Sequence, residues 1–254
     1  MDLKDKVAVV TGAGAGIGRA TALRFAQEGA RVLVADYADE AGEESVSLIK
    51  SGGGEACFIH TDVSQEDDVR RMIERAESEY GGLDVLHNNA GVLTGPRFPD
   101  SAPKYWSRAL DINVRGVLNG IYFGVPALKR RGGGVIVSTA SISGLTPHFI
   151  DPVYAATKAA VVNLTRSLTF LKDESDIRVN CVCPGLVQTE LEEHSGTLFD
   201  AQDRDNFKER RLGMKGRPAL TADDIATAVL TLIHDDTING KAFQVVLGQE
   251  WKLL

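Results

Sequence analysis

A tyrosine and a lysine one helical turn apart, Tyr154 and Lys158, are the pair in this chain best suited to proton chemistry. That spacing on an α-helix puts both side chains on one face. A free phenol has a pKa of roughly 10 and is a poor base near neutrality. A neighbouring ammonium favours the phenolate and lowers that value. A tenfold change in an ionisation constant corresponds to about 1.4 kcal/mol, so a working base needs roughly 3–4 kcal/mol of help. One close cation in a half-dry cleft supplies part of this, and a cationic cofactor the rest. Most tyrosine–lysine pairs at this spacing are solvated surface residues, so the weight falls on what accompanies them.

The first half of the chain holds a nucleotide site. Val7–Val10 is a short apolar run, as in a strand buried on both faces. Thr11-Gly12-Ala13-Gly14-Ala15-Gly16-Ile17-Gly18 follows at once, then a helix over Arg19–Glu28 closed by Gly29. A second strand, Arg31–Asp36, ends in an acid. Such glycines let the backbone approach a pyrophosphate, whose charge sits against the helix N-terminus. A carboxylate at Asp36 can bind the adenosine ribose hydroxyls and would repel a 2′-phosphate. Ala15 and Tyr37 beside it bring no cation, which favours NAD over NADP.

The alternation continues. Glu55–His60 reads as strand three, running to Asp62-Val63. Ser64-Gln65-Glu66-Asp67 resembles a capping box opening a helix through Tyr80. Leu83–His87 is strand four and leads into Asn88-Asn89-Ala90-Gly91. Residues 100–129 read as one long or broken helical region, with Asn113 at a mildly unfavourable mid-helix position and Pro126 as a potential kink. Val135–Ser138 is strand five, and Ser141 follows on its exit loop. Pro152 suits the first turn of the helix carrying Tyr154 and Lys158. Arg178–Cys183 is strand six and ends at Pro184-Gly185-Leu186-Val187-Gln188-Thr189. Thr221-Ala222-Asp223-Asp224 opens another helix, and Ala242–Leu247 is strand seven. The predicted fold is α/β: one Rossmann-type domain over residues 1–254, a doubly wound sheet of seven parallel strands with helices on both faces. Ligands in such sheets sit at the strands' C-terminal ends, where Asp36, Asp62 and Asn89 fall.

In order and spacing, these features resemble the short-chain dehydrogenase/reductase family over nearly the whole chain. The matches are Thr11-Gly12-x-x-x-Gly16-Ile17-Gly18, Asp62, Asn88-Asn89-Ala90-Gly91, Asn113, Ser141, Tyr154-x-x-x-Lys158 and Pro184-Gly185-x-x-x-Thr189. The resemblance implies Tyr154 as general acid/base, Ser141 polarising the substrate oxygen and Lys158 on the nicotinamide ribose, lowering the Tyr154 pKa. It also implies that Asn113 holds a water linking Lys158 to solvent. Asp62 and Val63 would flank the adenine, the Asn89 segment would pass the ribose, and Val187 and Thr189 would face the nicotinamide amide. The implied reaction interconverts a secondary alcohol and a ketone, and the implied assembly is a homodimer or homotetramer. One family member, which oxidises a secondary alcohol on a lipid-like chain, resembles this sequence at Gly144–Pro147 through Tyr154 and again at Thr231–Gly240. It has glutamine three residues before its catalytic tyrosine, close to the reacting hydroxyl, whereas this chain has Asp151.

The long charged connection over residues 190–218 reads as a substrate lid. Leu191, Leu198, Phe199, Phe207, Leu212 and Met214 would give it an apolar underside. With Leu93, Leu145, Phe149 and Leu186 they suggest a pocket for a substrate with a sizeable apolar part. His148, seven residues after Ser141, reads as an exposed loop residue, with a place in the substrate-pocket lining as the alternative, and His60, His87, His194 and His234 belong to no constellation. The competing functions are a nucleotide-binding scaffold or sensor without turnover, and a sugar-nucleotide epimerase. The first conflicts with the intact Ser141, Tyr154, Lys158 and Asn113 set. The second usually needs a larger substrate domain.

Composition bounds the partners. A formal net charge of −7 argues against nucleic acid, and no apolar run approaches a membrane span. The N-terminus has no apolar core after its charges, so it does not read as a signal peptide. Three cysteines, Cys57, Cys181 and Cys183, form neither a disulfide framework nor a metal cluster. They read as reduced core thiols, consistent with a cytoplasmic setting.

Overall fold

The computed structural model describes residues 1–95, 98–205 and 216–254. Its strands are β1 (Val7–Thr11), β2 (Arg31–Asp36), β3 (Glu55–His60), β4 (Val85–Asn88) and β5 (Gly134–Thr139). They continue with β6 (Ile177–Pro184), β7 (Ala242–Val245) and β8 (Lys252–Leu253). One sheet runs in the order β3-β2-β1-β4-β5-β6-β7-β8. Strands β1 to β7 pair in parallel. The eighth strand corrects the expected seven: Phe243 pairs with Leu253 antiparallel at the sheet edge. Only two residues long and exposed on both, β8 has no hydrophobic period to betray it. Its position is fixed instead by Trp251, whose ring meets that of Phe243 edge-on at 6.0 Å.

Every position of β1, β5 and β6 is buried, as the near-continuous apolar runs require of strands covered on both faces. One face is covered by α1 (Gly16–Gln27), α2 (Asp39–Ser51) and α9 (Ala222–His234), with Phe25, Val46, Ile225 and Leu232 in that core. The other is covered by α3 (Glu66–Tyr80) and α5 (Gly116–Arg131), with Met72, Ile73 and Leu128 inside. The strand order reverses between β1 and β4, so the crevice for a ligand opens there.

Two helix starts fared differently. The Thr221 box is complete: Asp224 N donates to Thr221 Oγ1 at 3.1 Å and Thr221 N to Asp224 Oδ2 at 2.7 Å. The box expected at Ser64 does not form. Helix α3 is capped at Gln65 without a side-chain bond, because the Ser64 hydroxyl donates to Asp62 Oδ1 at 2.7 Å. The helical region is divided by a single π-turn, Asp111–Arg115, between α4 (Pro103–Leu110) and α5, and α5 includes Pro126. The thiols of Cys181 and Cys183 are buried on β6, whereas Cys57 is half-buried rather than in the core.

Candidate active site

The glycine-rich loop leaves β1 and folds onto the exit of β4. Gly12 has φ +63°, and a Cβ there would stand 2.9 Å from Ala90 Cα. A Cβ on Gly18 would lie 2.1 Å from the Gly12 carbonyl, so helix α1 can tuck under the loop only with glycine at that position. At the end of β2, Asp36 braces the loop: Gly14 N donates to Oδ2 at 2.7 Å and Ala38 N to Oδ1 at 2.9 Å.

After β3, Asp62 accepts from Ser64 N at 3.0 Å and forms an ion pair with Arg108 Nη2 at 3.0 Å. Burial pushes its carboxyl pKa up. The bonds from Ser64 and Arg108 outweigh that and hold it below the usual carboxylate range. Arg108, from α4, also reaches Ser64 Oγ at 2.9 Å. Asn119 Nδ2 donates to the Val63 carbonyl at 3.0 Å, pinning the next residue.

Asn89 is held by a relay from inside the sheet. Its Nδ2 donates to the carbonyls of Thr11 and Gly12, at 3.0 and 3.3 Å, and its Oδ1 accepts from Thr139 Oγ1 at 3.0 Å. Thr139 spends its hydroxyl hydrogen there, so His87 Nε2, 3.0 Å away, carries the proton and donates to Thr139 Oγ1. Complete burial lowers the His87 pKa to about 3, which keeps the ring neutral.

The acid–base pair stands on α6 (Pro152–Ser167). Tyr154 packs with Leu93, Tyr105 and Phe199. Lys158 is 4% exposed, with Nζ 5.7 Å from the Tyr154 ring centroid, and donates to the Thr139 carbonyl at 2.7 Å. Burial lowers its pKa to about 8, and the flanking thiols of Cys183 and Cys181 resist that fall.

The π-turn gives Asn113 its place. Its Oδ1 accepts from Val92 N at 2.8 Å, and its Nδ2 donates to the Val92 carbonyl at 2.8 Å and to Thr157 Oγ1 at 3.1 Å. A methyl on Gly91 would come 3.3 Å from both Asn113 Oδ1 and Lys158 Nζ, so glycine at this position lets the two approach. Ser141 caps a 3₁₀ turn, Ile142–Gly144, by accepting from Ser143 N at 3.1 Å. That bond uses an oxygen lone pair and leaves the hydroxyl hydrogen to donate elsewhere.

One cavity of about 570 Å³ gathers these groups. Gly12, Gly16, Ile17, Asp36, Asp62, Val63, Asn89, Ser141, Tyr154, Lys158, Val187 and Thr189 all line it. Gly18 and Asn113 do not; each acts from behind the wall. The glycine floor, the acid at its far end and the tyrosine–lysine pair fit a dinucleotide laid across the strand ends, with space beside Tyr154 for a substrate.

The apolar side differs in detail from expectation. Leu93, Leu186, Leu191 and Leu198 line the cavity. Leu145 instead packs against a core cluster behind it, and Phe149 is 77% exposed. Phe199 is buried away from solvent, edge-on to Tyr105 at 5.1 Å. Phe207, Leu212 and Met214 fall outside the described residues. The segment α8 (Leu191–Thr197) is docked by Ser195, whose Oγ accepts from Leu93 N at 2.9 Å. Arg108, His148 and His194 also line the cavity. The spacing of His148 from Ser141 offers it for the pocket lining, whereas the surroundings of Arg108 and His194 carry no motif and only the fold brings them there. Asp151, expected beside the reacting hydroxyl, is instead buried and turned into the protein.

With this geometry in place the comparisons with known proteins are direct. The model of the short chain dehydrogenase family matches residues 6–197. The chain belongs to the short-chain dehydrogenase/reductase family. It is 37% identical over 243 residues to meso-2,3-butanediol dehydrogenase of Serratia marcescens, covering 94% of this chain and 92% of that protein. It is 33% identical over 262 residues to the NAD(+)-dependent 15-hydroxyprostaglandin dehydrogenase of Homo sapiens, covering 98% of this chain and 94% of that protein. The crystal structure of levodione reductase superposes with a TM-score of 0.80 at 30% identity, covering 96% of each chain. Among the described residues no helix is long and apolar enough to cross a membrane.

Proposed function

We propose that this protein interconverts a secondary alcohol and its ketone with NAD as cofactor, on a substrate with a sizeable apolar part. The observation that carries the reading is the convergence of Tyr154, Lys158 and Ser141 on the one cavity that also holds Asp36 and the glycine loop. The relatives support it. The butanediol and 15-hydroxyprostaglandin dehydrogenases act on alcohols, and the latter is NAD(+)-dependent.

When bound, the nicotinamide supplies the two-electron acceptor for the hydrogen on the substrate carbon. The protein's part is proton handling and orientation. Ser141 donates a hydrogen bond to the substrate oxygen, and Tyr154 takes the hydroxyl proton in oxidation or returns it in reduction. Lys158 keeps the phenol acidic by its charge and holds the ribose. Asn113, packed against Thr157 and Val92, supports the water that returns the proton to solvent. Asp36 accepts from the adenosine ribose hydroxyls and repels a 2′-phosphate. Glu190, Leu191, Thr197 and Leu198, from the described part of the 190–218 connection, border the substrate end, and Leu93, Leu186, Leu191 and Leu198 receive the apolar portion. The protein works in the cytoplasm as a homodimer or homotetramer, an assembly supported by the exposed Leu118 and Tyr122 on α5.

Replacing Tyr154 by Phe tests the reading. Turnover of a secondary alcohol should fall by about 10³-fold or more with NAD binding kept. Retained turnover overturns it.

A further inference from the structure

Three consecutive backbone amides in the loop after β4 are each taken by a side chain from a different element. Val92 N donates to Asn113 of the π-turn, Leu93 N to Ser195 of α8, and Thr94 N to Asp151 at the head of α6. Asp151 makes three hydrogen bonds, as many as Asn113. Its carboxylate is 3% exposed. Oδ2 accepts from Thr94 N at 3.0 Å, and Oδ1 accepts from the Thr94 hydroxyl and from Tyr154 N at 3.1 Å. No cation accompanies it among these contacts. The anion is held by three hydrogen-bond donors and by the N-terminal end of a 16-residue helix.

The bond to Tyr154 N joins the carboxylate to the backbone of the residue that carries the phenol. The two bonds to Thr94 join it to the segment whose neighbour, Leu93, forms the substrate wall. We infer that Asp151 is a positioning residue: it fixes Tyr154 relative to the Val92–Thr94 wall and does not itself touch the substrate. This rests on the reading of Tyr154 as the acid–base group.

Asparagine and alanine separate its two tasks. Asparagine keeps an acceptor for Tyr154 N, since it caps helices as well as aspartate does. It sets an amide donor against Thr94 N–H, so the cap and the Thr94 hydroxyl bond survive and the backbone half of the clamp is lost. D151N should lower kcat about 10-fold and D151A about 100-fold, since a small misplacement of a reacting group costs on this order. In both, the KM for the alcohol and the Kd for NAD should stay within about 3-fold, because neither site is touched. T94V should lower kcat in the same sense, and D151N/T94V should fall short of the product of the single effects. Should D151A not fold, D151N and T94V carry the test. Three results overturn the inference: kcat unchanged in D151N, a change confined to the alcohol KM, or a loss of kcat that merely follows loss of NAD binding. Y154F assayed alongside keeps the questions apart. A live Y154F removes the underlying reading, whereas a dead Y154F with a normal D151N removes only the role given to Asp151.

Discussion

Lys158 Nζ lies 5.7 Å from the centre of the Tyr154 ring and spends a hydrogen bond on the carbonyl of Thr139. The lysine is thus buried against a neutral oxygen, and no carboxylate among the described residues pairs with it. An ammonium in that setting is costly to its own ionisation and effective on its neighbour, since both effects come from the same low dielectric.

The cost has a measurable sign. The folded protein releases the Lys158 proton at about 8, whereas the unfolded chain holds it up to the ordinary value of 10.5. Between these limits the unfolded state binds more protons, so the native state gains stability as pH rises through the window. Relative to K158M, the cofactor-free wild type should gain up to about 3 kcal/mol between pH 8 and 10.5, read from urea midpoints. A constant difference across that range would contradict the burial argument.

His87 gives the same kind of signal at acid pH. Its folded value of about 3 lies below the ordinary 6.5. The unfolded chain therefore binds the extra proton between those values, and stability is lost as pH falls from 6.5 toward 3. Against H87L, the wild type should lose up to about 5 kcal/mol over that span. Equal acid sensitivity of the two proteins would place the ring in a wetter environment than the structure gives it.

The acid that braces the glycine loop should also choose the cofactor. In D36A the ratio of kcat/KM for NAD to that for NADP should drop by about 100-fold, as repulsion of a 2′-phosphate disappears. A wild type that prefers NADP would reassign Asp36 to the loop alone.

Leu198 and Phe199 are neighbours with different tasks. Leu198 faces the cavity, whereas Phe199 is 4% exposed against Tyr105 and would meet any Cβ on Gly95 at 2.7 Å. L198A should raise KM about 10-fold for long apolar alcohols and leave small ones nearly unchanged. F199A should cost about 3–5 kcal/mol of stability and act on all substrates alike. Identical substrate profiles for the two variants would remove this division.

Much of the site was legible because its signals are local. The glycine loop, Asp36 at a strand end and the helical spacing of Tyr154 and Lys158 each state their geometry over a few residues. What escaped depends on contacts distant in sequence. Ser64 carries the pattern of a capping residue, yet Asp62 and Arg108 take its hydroxyl, and Arg108 lies on a helix over 40 residues away. Asp151 reads as a substrate neighbour until Thr94 is seen to claim its carboxylate. His194 enters the cavity from α8, a placement that no periodicity encodes. Asn113 shows the middle case: its unfavourable helical position was readable, but the π-turn that accommodates it was not.

The claim on which the rest depends is that Tyr154 is a phenol made acidic by Lys158, and ultraviolet titration of tyrosinate in the NAD complex tests it most directly. Of the five tyrosines, one should ionise below about pH 8, well under the free-phenol value of roughly 10, and that step should vanish in Y154F. A wild-type titration that superimposes on that of Y154F below about pH 9 would contradict the account.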